Sequence, residues 1–257
     1  MGEGSHQGEW PRAALLSWPE MEELAGSGAV ALVPVGSTEA HGPHLPLNVD
    51  VVIAEEVCRR VSERLSGRGV RSVTFPAVPY GITEFAASFS GTISVQGEVV
   101  SRYLEDVLAG VASHGFRRIG VVNHHLEPAH FRAVHRAAGE AAARTGARVI
   151  VPDHRRPPFV EQLGPELGHG GSHAGVYETS LVLAIAPELV REEVRRRLPP
   201  LEVDLPGRIK AGAKTFLEAG GPQAYFGDPA VASAEEGERL LELLAEFSAA
   251  AILADSG

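Results

Sequence analysis

AVALVPVGSTEAHGPHLPLNVD, residues 29–50, is the stretch on which the fold of this chain turns. Its first seven residues are apolar without an alternating polar partner, the pattern of a strand buried on both faces. Gly36 ends the run, and the loop that follows carries Glu39, His41, His44 and Asp50 before a helical pattern begins at 52. Gly42, Pro43 and Pro46 restrict the course of that loop, which lowers the entropy lost when its polar side chains converge.

Outward from this stretch, further apolar runs of strand length lie at 70–75, 119–122 and 148–151. Segments of helical period separate them at 52–65, 98–113 and 129–145. Strands alternating with helices predict an α/β fold, a three-layer α/β/α architecture around a mostly parallel central sheet. Residues 153–175 are rich in Gly, Pro and His and show no period, and a loop that long is expected to be functional. Helices are predicted at 176–186, stopped by Pro187, and at Ala234–Leu253. The Arg/Glu-rich stretch 192–197 reads as solvated helix face, followed by irregular chain to 229. A length of 257 residues suits one domain, taken as 11–257 after a flexible N-terminus at 1–10, so His6 is not counted as a ligand.

The formal charge of −10 disfavours nucleic acid and anionic membrane surfaces as partners. No apolar run is long enough to span a bilayer and the first residues are polar, so a soluble, cytoplasmic protein is expected. Cys58 is the only cysteine, which rules out an internal disulfide or a thiolate zinc site, and its helical surroundings make it a small buried apolar residue.

The chemistry-bearing residues fall into three groups, two of them directly after predicted strands, where open α/β sheets bind ligands. Glu39, His41, His44 and Asp50 follow the first strand; His124, His125 and Glu127 follow the strand at 119–122; His169, His173 and Glu178 lie in or just after the long loop. Oxygen and imidazole donors together suit Zn, Mn, Fe or Co. Glu178 opens an apolar helix, where a carboxylate is costly to bury unless a metal or other partner compensates it. His114, His130, His135 and His154 read as ordinary helix or loop residues. GHGGSHAG (168–175) could in principle cradle a phosphate, but no Lys follows at P-loop spacing.

In the segments VPVGSTEAHGPHLPLNVD (33–50), GITEFAASFSGTIS (81–94), VVNHHLEPAH (121–130) and HAGVYETSLVLA (173–184), in this order, the chain resembles the creatininase family, or creatinine amidohydrolases. The resemblance implies two divalent metal ions per chain, Zn, Mn or Fe, with Glu39, His41, Asp50 and His125 as ligands and Asp50 as the bridge. Glu127 and Glu178 are both candidates for the last carboxylate ligand. It further implies a metal-dependent amidohydrolase that opens a C–N bond of a small-molecule amide, a non-peptide cyclic or formyl amide, with water activated at the metal pair. His173 and Glu127 are the expected catalytic proton carriers. His44 would orient Glu39 or line the pocket, His124 stands where the family usually has Gly and would narrow or polarise the site, and Phe85 and Phe89 would wall the pocket. Ser172 precedes His173 where creatininase proper has Trp and Glu nearby, so creatinine is not the expected substrate. The alternatives are a metallopeptidase acting on a short peptide, as in mycofactocin maturation, and a non-catalytic metal-binding module. By the same resemblance the chain is expected to form a homo-oligomer, a hexamer.

Overall fold

The computed structural model describes residues 10–168 and 173–254. The predicted flexible segment 1–10 lies outside these residues except for Trp10, and so does His169. The apolar run forms β1 (Val30–Val35), buried along its whole length. The order of elements is α1 (Trp18–Gly26), β1, α2 (Val49–Gly67), β2 (Ser72–Thr74), α3 (Gly97–Ser113), β3 (Arg118–Asn123), α4 (Pro128–Thr145) and β4 (Arg148–Ile150). The chain then runs through α5 (Pro165–Gly168), α6 (Val176–Ile185), α7 (Glu192–Arg195), α8 (Leu205–Lys210), α9 (Phe216–Ala219) and α10 (Ala234–Leu253).

All strand pairs are parallel, in the order β2-β1-β3-β4. Alternation along β1 divides the core into two layers: Val30 and Leu32 face α2, α6 and α10, while Ala31, Val33 and Val35 face α3 and α4. β3 does the same, with Val122 on the first side and Ile119 and Val121 on the second. This is the expected three-layer arrangement. Because β1 leads into α2 on one face and its neighbour β3 leads into α4 on the other, the two connecting loops diverge and leave a crevice between them.

β2 is shorter than the predicted strand at 70–75. The Val70 N–H closes the end of α2 by donating to the Leu65 carbonyl at 2.9 Å and is not free for the ladder. The stretch 192–197 is solvated as read, with Glu193, Val194, Arg196 and Arg197 exposed, except at one position. It is one helical turn, and Arg195 is buried, its guanidinium donating to the carbonyls of Pro229, Ala230 and Ala232 at 2.7, 2.8 and 3.2 Å.

Two contacts lock the helices that carry site residues. Arg60 of α2 donates to Glu238 and Glu242 of α10 at 2.6 and 2.7 Å. Gly237 lets α10 lie directly on α6, since a Cβ there would stand 1.9 Å from the Ser180 carbonyl oxygen. Gly237→Ala is therefore expected to separate the two helices and to lower unfolding free energy by about 3 kcal/mol in urea denaturation. Among the described residues no helix is long and apolar enough to cross a membrane.

Candidate metal centre

The crevice between the loops after β1 and β3 gathers the predicted side chains. Glu39 and His41 come from the β1 loop, His125 from the β3 loop, Asp50 from the first turn of α2 and Glu178 from the first turn of α6. Asp50 and Glu178 thus each lie in the first turn of a helix, where the helix dipole favours a negative side chain. All five residues are buried.

Asp50 lies between the two imidazoles: its Oδ1 is 3.2 Å from His41 Nε2 and its Oδ2 is 3.1 Å from His125 Nδ1. Glu39 Oε1 is 3.2 Å from His125 Nδ1, and Glu178 Oε2 is 3.8 Å from His41 Nε2. Each imidazole has its far nitrogen occupied. His41 Nδ1–H donates to the Glu39 carbonyl at 3.1 Å and His125 Nε2–H to the Ile82 carbonyl at 2.7 Å, so both point a lone pair at the carboxylates. His41 Nε2 and Asp50 Oδ2 are buried without a hydrogen-bond partner. Acceptors facing acceptors at such distances repel unless positive charge lies among them.

The electrostatics express the same demand. Burial disfavours an imidazolium, yet Asp50 and Glu178 outweigh it and raise the pKa of His41 to about 10, and Glu39 and Asp50 raise that of His125. Burial opposes ionisation of Glu39 and Asp50 too, but the histidines win and hold Glu39 at about 2 and Asp50 below the usual carboxylate range. Divalent cations satisfy these groups without protons. Three overlapping sets of donors lie close enough to share an ion: Glu39, Asp50 and His125; His41, Asp50 and Glu178; and Glu39, His41 and His173. Asp50 belongs to the first two.

His173 was expected as a proton carrier, and the structure sets it beside the donors, with Nδ1 4.0 Å from Glu39 Oε1 and Nε2–H donating to the Ala40 carbonyl at 2.8 Å. Of the two candidates for the last carboxylate, Glu178 enters a donor set and Glu127 does not. Glu127 lines the same cavity, its oxygens accepting the N–H groups of Glu84 and Phe85 at 3.2 and 3.3 Å. Ala174 adopts φ 51°, a conformation strained for a residue with a Cβ, and from it donates its N–H to Glu178 at 2.5 Å.

Other expectations are corrected. His44 neither orients Glu39 nor lines the cavity: its Nε2 meets Thr179 Oγ1 at 2.9 Å and ties the β1 loop to α6. His124 turns away from the cavity and stacks on His154 and Tyr177, each with ring centroids 5.6 Å apart. Phe85 walls the cavity against Phe216, whereas Phe89 packs in the small cluster behind it.

The sequence reading missed the groups that hold the ligands. The Thr83 hydroxyl donates to Glu39 Oε2. His130, read as an ordinary helix residue, closes a ring of hydrogen bonds. Ile82 N–H donates to His130 Nδ1 at 3.3 Å, His130 Nε2–H to Asn123 Oδ1 at 3.1 Å, and Asn123 Nδ2 to the His125 carbonyl at 2.8 Å. His125 returns to the Ile82 carbonyl, so the ring fixes which nitrogen of His125 faces the centre. Gly81 makes room for it, as a Cβ there would lie 2.6 Å from His130 Nδ1. The faint signal was spacing: Asn123 and His130 flank the HHLEP motif. His130→Leu is expected to weaken metal binding about 10- to 100-fold with the helical circular dichroism retained, as competition against a chelator would measure.

A parallel sheet with buried acid and imidazole donors gathered where its connections diverge defines an α/β protein with a candidate metal centre. The family model described as creatinine amidohydrolase matches residues 14–252, and the chain belongs to the creatininase family of metal-dependent amidohydrolases, enzymes that hydrolyse C–N bonds. It is 31% identical to the creatinine amidohydrolase of Pseudomonas putida, over 92% of this chain and 94% of that one. It is 32% identical to the mycofactocin precursor peptide peptidase of Mycobacterium tuberculosis, over 87% and 84% respectively. A solved structure of creatininase with Mn superposes with a TM-score of 0.75 at 28% identity, covering 95% of this chain and 98% of that one. A mutant creatininase of Zn–Zn type follows with a TM-score of 0.73 at 27% identity, covering 95% and 97%.

Proposed function

We propose that this chain binds two divalent ions, of Zn, Mn or Fe, and hydrolyses a small non-peptide amide, cyclic or formyl. Glu39, Asp50 and His125 would hold one ion, His41, Asp50 and Glu178 the other, with Asp50 between them. The observation that carries this reading is the convergence of buried carboxylates and imidazoles on both sides of Asp50, with His41 Nε2 and Asp50 Oδ2 left without a hydrogen-bond partner. Divalent cations held there supply Lewis acidity, which acidifies water and polarises an amide carbonyl.

The remaining work is proton transfer. Burial pushes Glu127 up to about 7 against the pull of His125, so near neutral pH its carboxyl can give a proton to the leaving nitrogen. Burial lowers the pKa of His173, so its ring stays neutral and Nδ1 can accept one. Glu127 and His173 together form the proton relay of the proposal. The ring of Phe216 packs against His173, tilted by 37° with centroids 4.4 Å apart.

A second reading, a metallopeptidase of a short peptide, is favoured by the cavity of about 620 Å³, larger than a small ring needs. The proposal also takes 11–257 as one domain, from chain length, and a cytoplasmic protein, from its apolar pattern, and on the strength of the family resemblance a homo-oligomer, hexameric. The test is elemental analysis of protein purified without chelator, followed by turnover of cyclic amides, formamides and short peptides. About two divalent ions per chain are expected, with ring opening of a cyclic amide or release of formate and amine from a formamide. Turnover confined to peptides would move the assignment to the peptidase reading, and a chain that takes up no Zn, Mn or Fe would end both.

A further inference from the structure

The cavity above the metal centre has a pronounced polarity. Its floor holds four carboxylates, Glu39, Asp50, Glu127 and Glu178. Its walls are apolar, with Phe85, Leu126, Val160, Leu205, Ile209 and Phe216 among them. Two cations lie on the lining as well, Arg155 and Lys210, in a chain whose net charge is −10.

The two cations are not equivalent. Arg155 is engaged: its Nε donates to Asp153 Oδ1 at 2.9 Å and its guanidinium lies 3.2 Å from the centroid of the Phe131 ring. Lys210, the last residue of α8, is exposed, and among the described residues no carboxylate pairs with it. The chain has 23 basic residues, of which only Lys210 and Lys214 are lysines, and many of its arginines lie in ion pairs with neighbouring glutamates. An unpaired ammonium on a flexible stem at the edge of an apolar, acid-floored cavity is free to take an anion from a ligand.

We propose that the substrate is an amide with an apolar body and a terminal carboxylate, which Lys210 holds at the mouth while the amide reaches the metal centre. This rests on the amidohydrolase reading of the same site and adds the class of substrate. Position sets orientation. Lys210 is exposed on the cavity lining whereas the metal donors are buried, so a ligand held there by its carboxylate presents its amide inward. A single unpaired ammonium matches a monoanion. The volume of about 620 Å³ accommodates a body longer than one small ring.

The test separates this proposal from the reading beneath it. Zn-loaded protein is titrated calorimetrically with alkyl hydroxamates, which bind metal through the hydroxamate, in two series of matched chain length: one ends in a methyl group, the other in a carboxylate. At one chain length the carboxylate series is expected to bind about fivefold tighter than its methyl partner, and Lys210→Met should abolish that preference. Lys214→Met, on the same exposed segment, should keep it. If both series bind but the methyl ends are equal or better at every length, or if Lys210→Met keeps the preference, the carboxylate proposal is overturned and the metal site stands. If neither series binds the loaded protein, the metal-centre reading falls and the proposal with it.

Discussion

Asp50→Ala should reduce the metal content from about two divalent ions per chain to one or fewer, and hydrolysis by about a thousandfold or more. Asp50 reaches both halves of the centre with separate oxygens: one lies 3.2 Å from His41 and the other 3.1 Å from His125. Its position at the start of α2 adds the helix dipole to the same point. Asp50→Asn keeps the shape but offers a single carbonyl oxygen, so it should fail in the same way and show that lost volume is not the cause. Elemental analysis of the two variants beside the parent, with circular dichroism to confirm folding, decides it. Two ions retained in either variant would mean that Asp50 does not bridge.

Gly36→Ala should act on the centre without touching a ligand. A Cβ at Gly36 would lie 2.7 Å from Val51 N, 2.8 Å from Asp50 C and 2.9 Å from Asp50 Cβ. These are backbone or Cβ positions, so rotamer changes cannot relieve them and the first turn of α2 must move. A loss of about 1–3 kcal/mol in unfolding free energy is expected from the overpacking. Metal affinity should fall about tenfold or more, because ligand positions matter at the sub-ångström level. Gly67→Ala is the control: it ends the same helix with nothing within 4 Å of the new methyl, and it should be neutral or slightly stabilising. Equal behaviour of the two variants would show that the contact of Gly36 with α2 does not position Asp50.

Much of the architecture was legible because it depends on local pattern. A run such as 29–35, apolar at every position, can be satisfied only by cover on both faces, and the helical segments around it supply that cover. The same logic located the clusters that follow β1 and β3, since ligands follow the strands that end in loops; the narrower set of Glu39, His41, Asp50 and His125, with Glu127 and Glu178 both candidates, came from the family resemblance. It failed where a residue's partner is remote. The Val70 amide is consumed by the end of α2, which trims β2. Arg195 looks like one more surface arginine until carbonyls some 34 to 37 residues away enclose it.

What the order of residues determined on its own was therefore the strand–helix alternation and the inventory of donors, because periodicity and residue chemistry are properties of short windows. Only the tertiary structure decided which donors meet. It set Glu178 in a donor set and left Glu127 on the cavity wall, turned His124 toward His154 and Tyr177, and made His130 the keystone of the His125 loop. Those outcomes depend on close approaches between segments far apart in the chain, at Gly36, Gly81 and Gly237. There the absence of one carbon sets how near two backbones or a ring can come, a constraint that appears only when both sides are in place.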